Sequence, residues 1–270
     1  MKTYQRLCCV VLSVTGLAAT VSGQTSRRKP TAEHLFFKCK LLINPSTGTT
    51  IANAIIETSG GKIMSIGQAN EVSIPPDAKV MDFSDKYVIP GLVDTHGHLY
   101  SWTGKSVTTT NALLPSFYLA NGVTSVGAPG SMDAGGDIAL RNRIDAGQTA
   151  GPRLFLAGEY IEMAPRMFGW MNVVSTAEEA RLRVDMWAAQ GTTAIKFYAG
   201  AHGELMQAAI DEAHERSMRV WAHLGATTYQ QAIDMGVDQD LSWCDRHARH
   251  AAFGRNPGQL SRVGQGNYGP

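Results

Sequence analysis

From residue 88 onward, short apolar runs alternate along the chain with longer stretches of helical character. The apolar runs read as strands at 88–94, 123–128, 153–157, 193–198, 219–223 and 237–241. Helices are predicted at 176–190, 204–216 and 229–235; in the first of these, Ala177, Ala180, Val184 and Trp187 share one face. Strand and helix in series predict a parallel sheet with helices packed outside it.

A region of different character precedes this alternation. Apolar runs at 34–43, 52–58 and 62–66 read as strands, and Gly60-Gly61 between the last two is typical of a hairpin turn. A turn at Pro75-Pro76-Asp77 is followed by another short strand at 80–83. We therefore expect a small β module at 24–87, ahead of an α/β domain at 88–243.

The two ends of the chain are expected to lie outside the fold. Lys2 and Arg6 precede an apolar stretch at 7–19, which predicts a secretory signal peptide at 1–23. Those 13 residues would rise only about 20 Å as a helix, too short to cross a membrane core of about 30 Å. Residues 246–270 contain no Asp or Glu and no apolar periodicity, so 244–270 is interpreted as a disordered or aberrant tail.

Composition limits the classes of partner. The chain has 24 Lys plus Arg against 23 Asp plus Glu, a formal charge of +1, and 44% hydrophobic residues. Such a chain buries a core but has no basic field for nucleic acid, and no membrane contact is expected after signal cleavage. Cys39 and Cys244 are too few for a disulfide framework. The expectation is an exported protein, secreted or periplasmic, that acts on a small molecule.

The strongest chemical signal lies at the end of the first predicted barrel strand. The string Val88-Ile89-Pro90-Gly91-Leu92-Val93-Asp94-Thr95-His96-Gly97-His98 is an apolar strand that ends in two histidines two residues apart. Both imidazoles leave the same face of an extended chain and can converge on one ion. Parallel α/β barrels keep their catalytic groups at strand ends of this kind.

This string resembles the first-strand signature of the amidohydrolase superfamily, whose members are metal-dependent hydrolases on a (β/α)8 barrel. Segments such as Gly151-Pro152-Arg153 and Ile195-Lys196-Phe197 are most similar to imidazolonepropionase-like enzymes and to dipeptidases that cleave before proline or arginine. The resemblance implies an α/β fold: an incomplete TIM-like barrel with about six of eight strands, preceded by the small β module.

The resemblance also implies a metal site. His96 and His98 match the metal ligands of the first strand, and His223 matches the fifth-strand histidine. Lys196 matches a lysine that many members carry as N6-carboxylysine, bridging two metals. One or two divalent ions, zinc by expectation, would activate water and polarise a scissile amide carbonyl.

Strand alternation supports Lys196 independently. Ile195 and Phe197 would face the outer helices, whereas Ala194, Lys196 and Tyr198 would face the barrel interior. An interior lysine is unfavourable unless it is neutralised or paired. The alternative is that Lys196 reaches the rim or forms an ion pair.

The match to the superfamily breaks near the end of the chain. Ser242 stands where the sixth-strand histidine belongs, and His247 and His250 lie in the polar tail. The general-base aspartate of the eighth strand has no counterpart, since Asp94, Asp238 and Asp240 occupy other positions. Asp94 could support an imidazole or simply close a turn.

Two functional hypotheses follow. The first is a metal-dependent hydrolase acting on an amide or related C–N bond of a dipeptide or cyclic amide. The second is a truncated or frameshifted, non-catalytic member, motivated by the missing ligands and the acid-free tail; a binding protein on the same barrel ranks third. Spacing of about thirty residues per βα unit leaves no room for two more units after Leu241, so strand edges would stay open and an oligomer could cover them.

Overall fold

The structure is a computed structural model that describes residues 34–102, 107–109, 113–169 and 171–240. The predicted signal peptide and C-terminal tail lie outside these residues. The chain divides into two compact units between Ile89 and Pro90. Each unit is described by itself.

The first unit contains a four-stranded sheet. Its strands are β1 (His34–Asn44), β2 (Thr49–Ser59), β3 (Lys62–Gln68) and β4 (Lys79–Val88), in the order β3-β2-β1-β4. β2 and β3 form the predicted hairpin around Gly60 and Gly61, with Ser59 opposite Lys62. Phe36, Ile55 and Val72 form the buried core of this unit.

The second unit alternates strands and helices. Its elements are, in chain order, β5 (Leu92–Asp94), β6 (Tyr100–Trp102), β7 (Val107–Thr109), α1 (Leu114–Ala120), β8 (Val123–Ala128), α2 (Ala134–Asp145), β9 (Arg153–Leu156), β10 (Tyr160–Glu162), β11 (Asn172–Val173), α3 (Ala177–Ala189), β12 (Ala194–Phe197), α4 (Gly203–Glu215), β13 (Arg219–Ala222), α5 (Tyr229–Met235) and β14 (Gln239–Asp240). The three helices predicted from apolar spacing correspond to α3, α4 and α5.

Parallel strands form two adjoining sheets, in sequence order except that β11 lies outside β10. One has the order β5-β8-β9 and the other β11-β10-β12-β13-β14. The two sheets are joined by a backbone hydrogen bond between β9 and the residue that precedes β12. The Thr193 N–H donates to the Leu156 carbonyl of β9 at 3.0 Å. Within the described residues, β5, β8, β9, β12, β13 and β14 correspond to the six predicted barrel strands. The partial-barrel fold class is therefore confirmed.

The first barrel strand is shorter than the sequence predicts. Val88 ends β4 of the first unit, paired with Leu42, and the parallel strand begins only at Leu92. Pro90 lacks an N–H for a strand ladder, and a Cβ at Gly91 would lie 2.1 Å from the Thr124 hydroxyl oxygen. These two residues separate one apolar run into strands of different units.

Helices pack against one face of the second unit's sheet. Ala180, Val184 and Trp187 of α3 and Met206 and Ile210 of α4 are buried against Ile195, Phe197, Val220 and Ala222. Alternate residues of β12 and β13 therefore face the helices, as the strand period requires. The residues between them, Lys196 and Trp221, belong to the opposite face.

Candidate active site

The histidine pair follows directly after β5. The Asp94 carboxylate accepts a hydrogen bond from the His96 backbone N–H at 3.0 Å, closing the turn after the strand. The Gly97 N–H donates to the Gly127 carbonyl of β8 at 2.9 Å. The rings of His96 and His98 lie with centroids 5.2 Å apart. Asp94 therefore has the turn role considered from the sequence, beside both imidazoles.

Gly97 is required between the two histidines by close packing. A Cβ there would lie 2.5 Å from the Tyr118 hydroxyl and 2.7 Å from a Val126 methyl. Such distances force neighbouring atoms to move. The glycine thus lets the His-Gly-His turn sit against β8.

Lys196 lies in the middle of β12, opposite Tyr160 of β10 and Trp221 of β13. Its side chain is 1% exposed, and its Nζ has no hydrogen-bond partner among the described residues. Burial lowers the pKa of the amine to about 7. Lys196 thus neither reaches the rim nor forms an ion pair within the described part of the chain.

His223 follows the last residue of β13. Its backbone N–H donates to the Phe197 carbonyl at 3.1 Å, and its ring stacks on Tyr198 with centroids 4.8 Å apart. Burial, the charge of Lys196 and, to a smaller extent, His96 lower the pKa of His223 to about 4. Its imidazole is therefore neutral at pH 7.

The four predicted residues influence one another electrostatically. Lys196 lowers the pKa of His96, His98 and His223, and His96 lowers the pKa of the other two histidines. For each imidazole the largest cause is burial, which brings the pKa of His98 to about 4. The fold thus brings together residues that lie up to 127 positions apart in the sequence (223 − 96).

Two carboxylates oppose this effect. Asp94 raises the pKa of His96 and His98, and Asp240 raises the pKa of Lys196 and His223. Asp240 does not match the superfamily position of the general-base aspartate, so it was not predicted to be a site residue. Its place at the end of β14, beside β13, nevertheless puts its charge within reach of the site.

The donor set fits a transition-metal site in its chemistry. Neutral imidazoles are ligands for zinc, and the buried Lys196 Nζ and His98 Nδ1 have no hydrogen-bond partner among the described residues. No group of three or more His, Cys, Asp or Glu side chains in the described part of the chain is already gathered at one metal position. The residues therefore fit a metal site in three respects: they are of suitable type, the imidazoles are neutral, and buried nitrogen atoms lack a hydrogen-bond partner.

Three tyrosines lie next to these residues, and of them only Tyr198 was predicted from the sequence to face the barrel interior. Tyr100 packs against His98 with ring centroids 4.9 Å apart, and its hydroxyl lies 2.6 Å from that of Tyr160. Tyr160 meets Tyr198 edge to face at 5.4 Å, and Tyr198 stacks on His223. Two of these tyrosines could have been found from their spacing. Tyr100 stands two residues after His98, and Tyr198 stands two residues after Lys196.

Glu162, the last residue of β10, is a second buried charge that sequence reasoning missed. It is fully buried, its Oε1 accepts the Met163 N–H at 3.1 Å, and its Oε2 has no hydrogen-bond partner among the described residues. Burial raises its pKa to about 7, partly offset by backbone hydrogen bonds that include Met163. A single acid in the run Tyr160-Ile161-Glu162-Met163 was its only sequence signal.

Other sequence predictions have separate outcomes. Cys39 is buried and forms no disulfide, whereas Cys244, Ser242, His247 and His250 lie outside the described residues. In the stretch after β9, Met163 packs in the helix-side core and Met167 is exposed. Phe168 contacts the ring of Tyr198 at 5.8 Å. Of these three residues, Phe168 is the one in contact with a ring beside the site.

Comparison with known proteins gives a consistent result. The family model described as the Amidohydrolase family matches residues 87–241, more than half of the chain. An N-substituted formamide deformylase from Arthrobacter pascens is 39% identical over 66 residues, 22% of this chain and 12% of the relative.

Solved structures share the fold. A candidate prolidase from Bifidobacterium longum has a TM-score of 0.65 at 29% identity, covering 78% of this chain and 54% of the other. A Xaa-Pro dipeptidase with bound methionine has a TM-score of 0.63 at 22% identity, covering 77% and 61%. An A. niger ochratoxinase has a TM-score of 0.63 at 19% identity, covering 82% and 63%. The chain thus spans a little over half the length of these structures, and it belongs to the amidohydrolase family.

Proposed function

We propose that this chain is a metal-dependent hydrolase that cleaves an amide or related C–N bond of a small molecule. The observation that carries the proposal is that the buried Lys196 amine, which has no hydrogen-bond partner among the described residues, lies close enough to His96, His98 and His223 for its charge to lower the pKa of all three. All four lie at or near the carboxyl ends of parallel strands, where α/β barrels hold their active sites. Membership of the amidohydrolase family supports the same reaction class.

His96, His98 and His223 would hold one or two divalent ions, with zinc expected for an imidazole-rich set. Such an ion supplies Lewis acidity, which activates water and polarises a carbonyl. The protein's own contribution is to present neutral imidazoles, because burial keeps the pKa of His98 and His223 at about 4. The Asp94 carboxylate fixes His96 by accepting a hydrogen bond from the His96 backbone N–H.

Lys196 is proposed to bind as N6-carboxylysine. Attack of the neutral Nζ on carbon dioxide forms an N–C bond and releases a proton, leaving an anionic carbamate. Burial favours a neutral amine over an ammonium group. The carbamate would place oxygen atoms that can bind metal next to Nζ, which has no hydrogen-bond partner among the described residues. This product converts an unfavourable buried cation into a negative ligand.

The expected substrate is a dipeptide, N-acyl amine or cyclic amide. The candidate prolidase and the Xaa-Pro dipeptidase, similar in fold, support a dipeptide with proline after the cleaved bond. The deformylase, similar over a shorter segment, supports an N-formyl amine. A panel of substrates should contain both types.

Export of the protein, to the periplasm or the medium, is part of the proposal and depends on the predicted signal at 1–23. In the described part of the chain, no helix is both long and apolar enough to cross a membrane. Expression of the full chain followed by N-terminal sequencing of the exported product tests this point. A product that begins at Met1 inside the cell would contradict it.

Hydrolysis by the full chain tests the function. Purified protein with zinc or manganese is incubated with Xaa-Pro and Xaa-Arg dipeptides and N-formyl amines, and free amine is measured. We expect metal-dependent release that chelation abolishes and that Lys196→Ala reduces by at least about a hundredfold. His34→Ala, on the first unit's sheet, is the matched control and should keep full activity.

The same pair of variants tests the lysine. Wild type should carry more metal than Lys196→Ala, and its intact mass should include bound carbon dioxide. Equal metal content in both would contradict the ligand role of Lys196. A protein that binds metal but hydrolyses nothing in the panel would favour the non-catalytic hypothesis.

A further inference from the structure

We propose that the hydrogen-bonded hydroxyls of Tyr100 and Tyr160 are a positioning device that holds His98 and His223 in register across two sheets. The term tyrosine bridge denotes Tyr100, Tyr160 and Tyr198. The inference rests on the proposed function, because it concerns the geometry of the same site. It assigns these tyrosines a role through the histidines rather than on the substrate.

The site is divided between two sheets. The His96–His98 turn follows β5 of the β5-β8-β9 sheet, whereas Lys196 and His223 belong to β12 and the end of β13 in the other sheet. A displacement between the sheets would therefore separate the two halves of the donor set. The backbone hydrogen bond from Thr193 to Leu156 joins the sheets, and side-chain contacts across this division add to it.

The tyrosine bridge crosses that division. Tyr100 lies against His98, with ring centroids 4.9 Å apart, and its hydroxyl is 2.6 Å from the Tyr160 hydroxyl. Tyr160, on β10, meets Tyr198 at 5.4 Å with perpendicular rings, and Tyr198 stacks on His223 at 4.8 Å. The ring contacts, together with the hydrogen bond between the two hydroxyls, form a continuous path from His98 to His223.

A second contact connects Tyr160 to His98. A Cβ on Gly130 would lie 2.5 Å from the Tyr160 ring, so this ring packs directly on the backbone at Gly130. The backbone of Gly130 in turn hydrogen-bonds with His98. Tyr160 thus supports His98 by two routes, through Tyr100 and through Gly130.

The burial of Tyr160 fits a supporting role. Tyr160 is 4% exposed, whereas Tyr100 and Tyr198 are half-buried. A buried phenol needs a hydrogen-bond partner, and here a second phenol at the edge of the site provides one. The polar link therefore joins β6, which follows the histidine turn, to β10 of the second sheet. It lies beside the candidate ligands, where partners that orient metal-binding imidazoles are placed.

Removal of one hydroxyl at a time tests the bridge. Tyr100→Phe and Tyr160→Phe keep the rings and delete the hydrogen bond, and Tyr87→Phe on the exposed part of β4 is the matched control. Zinc affinity is measured by competition with a chromophoric chelator. We expect each single variant to bind zinc about tenfold more weakly, the range found when partners of metal ligands are lost.

The double variant sharpens the result. Since both single changes delete the same hydrogen bond, the double variant should lose no more than about another twofold. Wild-type affinity in both single variants, or an equal loss in Tyr87→Phe, would overturn the proposal. So would additive tenfold losses in the double variant.

Metal-free protein separates this inference from the proposed function. Imidazole resonances of His98 and His223 are followed by NMR, with 15N-labelled histidine and assignment by His→Gln variants. Tyr100→Phe should shift the His223 signals although the two side chains do not touch directly, and Tyr87→Phe should not. Unchanged His223 signals would overturn the bridge. Failure of wild type to bind zinc would instead overturn the proposed function and leave the NMR result decisive for the bridge.

Discussion

Three acidic or basic side chains are buried in the second unit without forming an ion pair among the described residues. The exposed fractions are 1% for Lys196, 0% for Glu162 and 5% for Asp137. Burial favours the neutral form of each group: it lowers the pKa of Lys196 to about 7 and raises the pKa of Glu162 to about 7 and that of Asp137 to about 6. The Asp137 carboxylate accepts a 2.6 Å hydrogen bond from Ser131. Near pH 7 a substantial share of Lys196 and Glu162 is therefore neutral, which reduces the free-energy cost of their burial, whereas Asp137 is mostly ionised and is stabilised by the Ser131 hydroxyl. A neutral Lys196 amine is also what carbamate formation requires.

Glu162 makes stability depend on pH. Its folded pKa of about 7 is above the ordinary 4.5, so the folded state holds the proton more tightly and stability declines as pH rises through this window. Glu162→Gln mimics the protonated form. The free energy of unfolding of the variant minus that of wild type should therefore be about 2 kcal/mol larger at pH 8 than at pH 5, which means a relatively more stable variant at pH 8.

Urea unfolding at the two pH values measures this difference. Glu215→Gln, at the exposed end of α4, is the control and should show no such change, since it replaces a side chain that is not buried. The same offset at pH 5 and pH 8 in Glu162→Gln would show that Glu162 is ionised in the folded protein throughout.

Gly130 should be intolerant of any side chain. Its φ is +91°, and a Cβ would lie 2.5 Å from the Tyr160 ring. Gly130→Ala should lower the free energy of unfolding by about 1–3 kcal/mol, from strain and overpacking together. Gly135→Ala in α2 meets open space and should instead raise stability, by up to about 1 kcal/mol. Equal effects at both glycines, measured by urea unfolding, would contradict the packing described here.

At the scale of elements, α5 is defined by signals at both ends. Thr228 and Gln231 form a capping box, and Gly236 ends the helix with a φ of 96°. Thr228→Ala should cost about 1 kcal/mol in urea unfolding, because the first-turn N–H groups lose their acceptor. Thr228→Ser keeps the hydroxyl and should stay within about half that loss. An Ala variant as stable as wild type would show that α5 does not depend on its cap.

The long periodic elements could be predicted from sequence, and the short ones could not. Apolar spacing identified α3, α4 and α5, and apolar runs identified β8, β12 and β13 to within one or two residues. β10 and β11 have three and two residues, too few to show a period, and β11 pairs only with its neighbour in the sheet. The split at Val88 was missed because one apolar run serves two units.

The candidate site was predicted only in part, because only some of its residues stand in a local sequence pattern. His96, His98, Lys196 and His223 stand in or directly after strands, so their strand positions identify them one by one. Tyr100, Tyr160 and Glu162 contribute through contacts across 60 residues of sequence or through burial, neither of which a local pattern records. Alternation did predict that Lys196 faces away from the helix-side core, because a strand has only two faces.

For the whole molecule, the strand order determines where chemistry can occur. Parallel strands carry their carboxyl ends to one edge of each sheet, and the histidines, Lys196 and the tyrosine bridge all lie at or near that edge. In the described residues, β5 and β14 each pair with one neighbour only, so each has an edge open to another strand.

The central claim is that His96, His98, Lys196 and His223 form one metal site. Zinc bound per chain is measured by elemental analysis after equilibrium dialysis of the full protein, in wild type, in the His96→Ala/His98→Ala double variant and in His34→Ala. If these residues form one site, we expect one to two zinc ions per chain in wild type and in His34→Ala. The double variant should bind zinc with at least a tenfold weaker affinity. Equal zinc binding by all three proteins, or none in wild type, would contradict it.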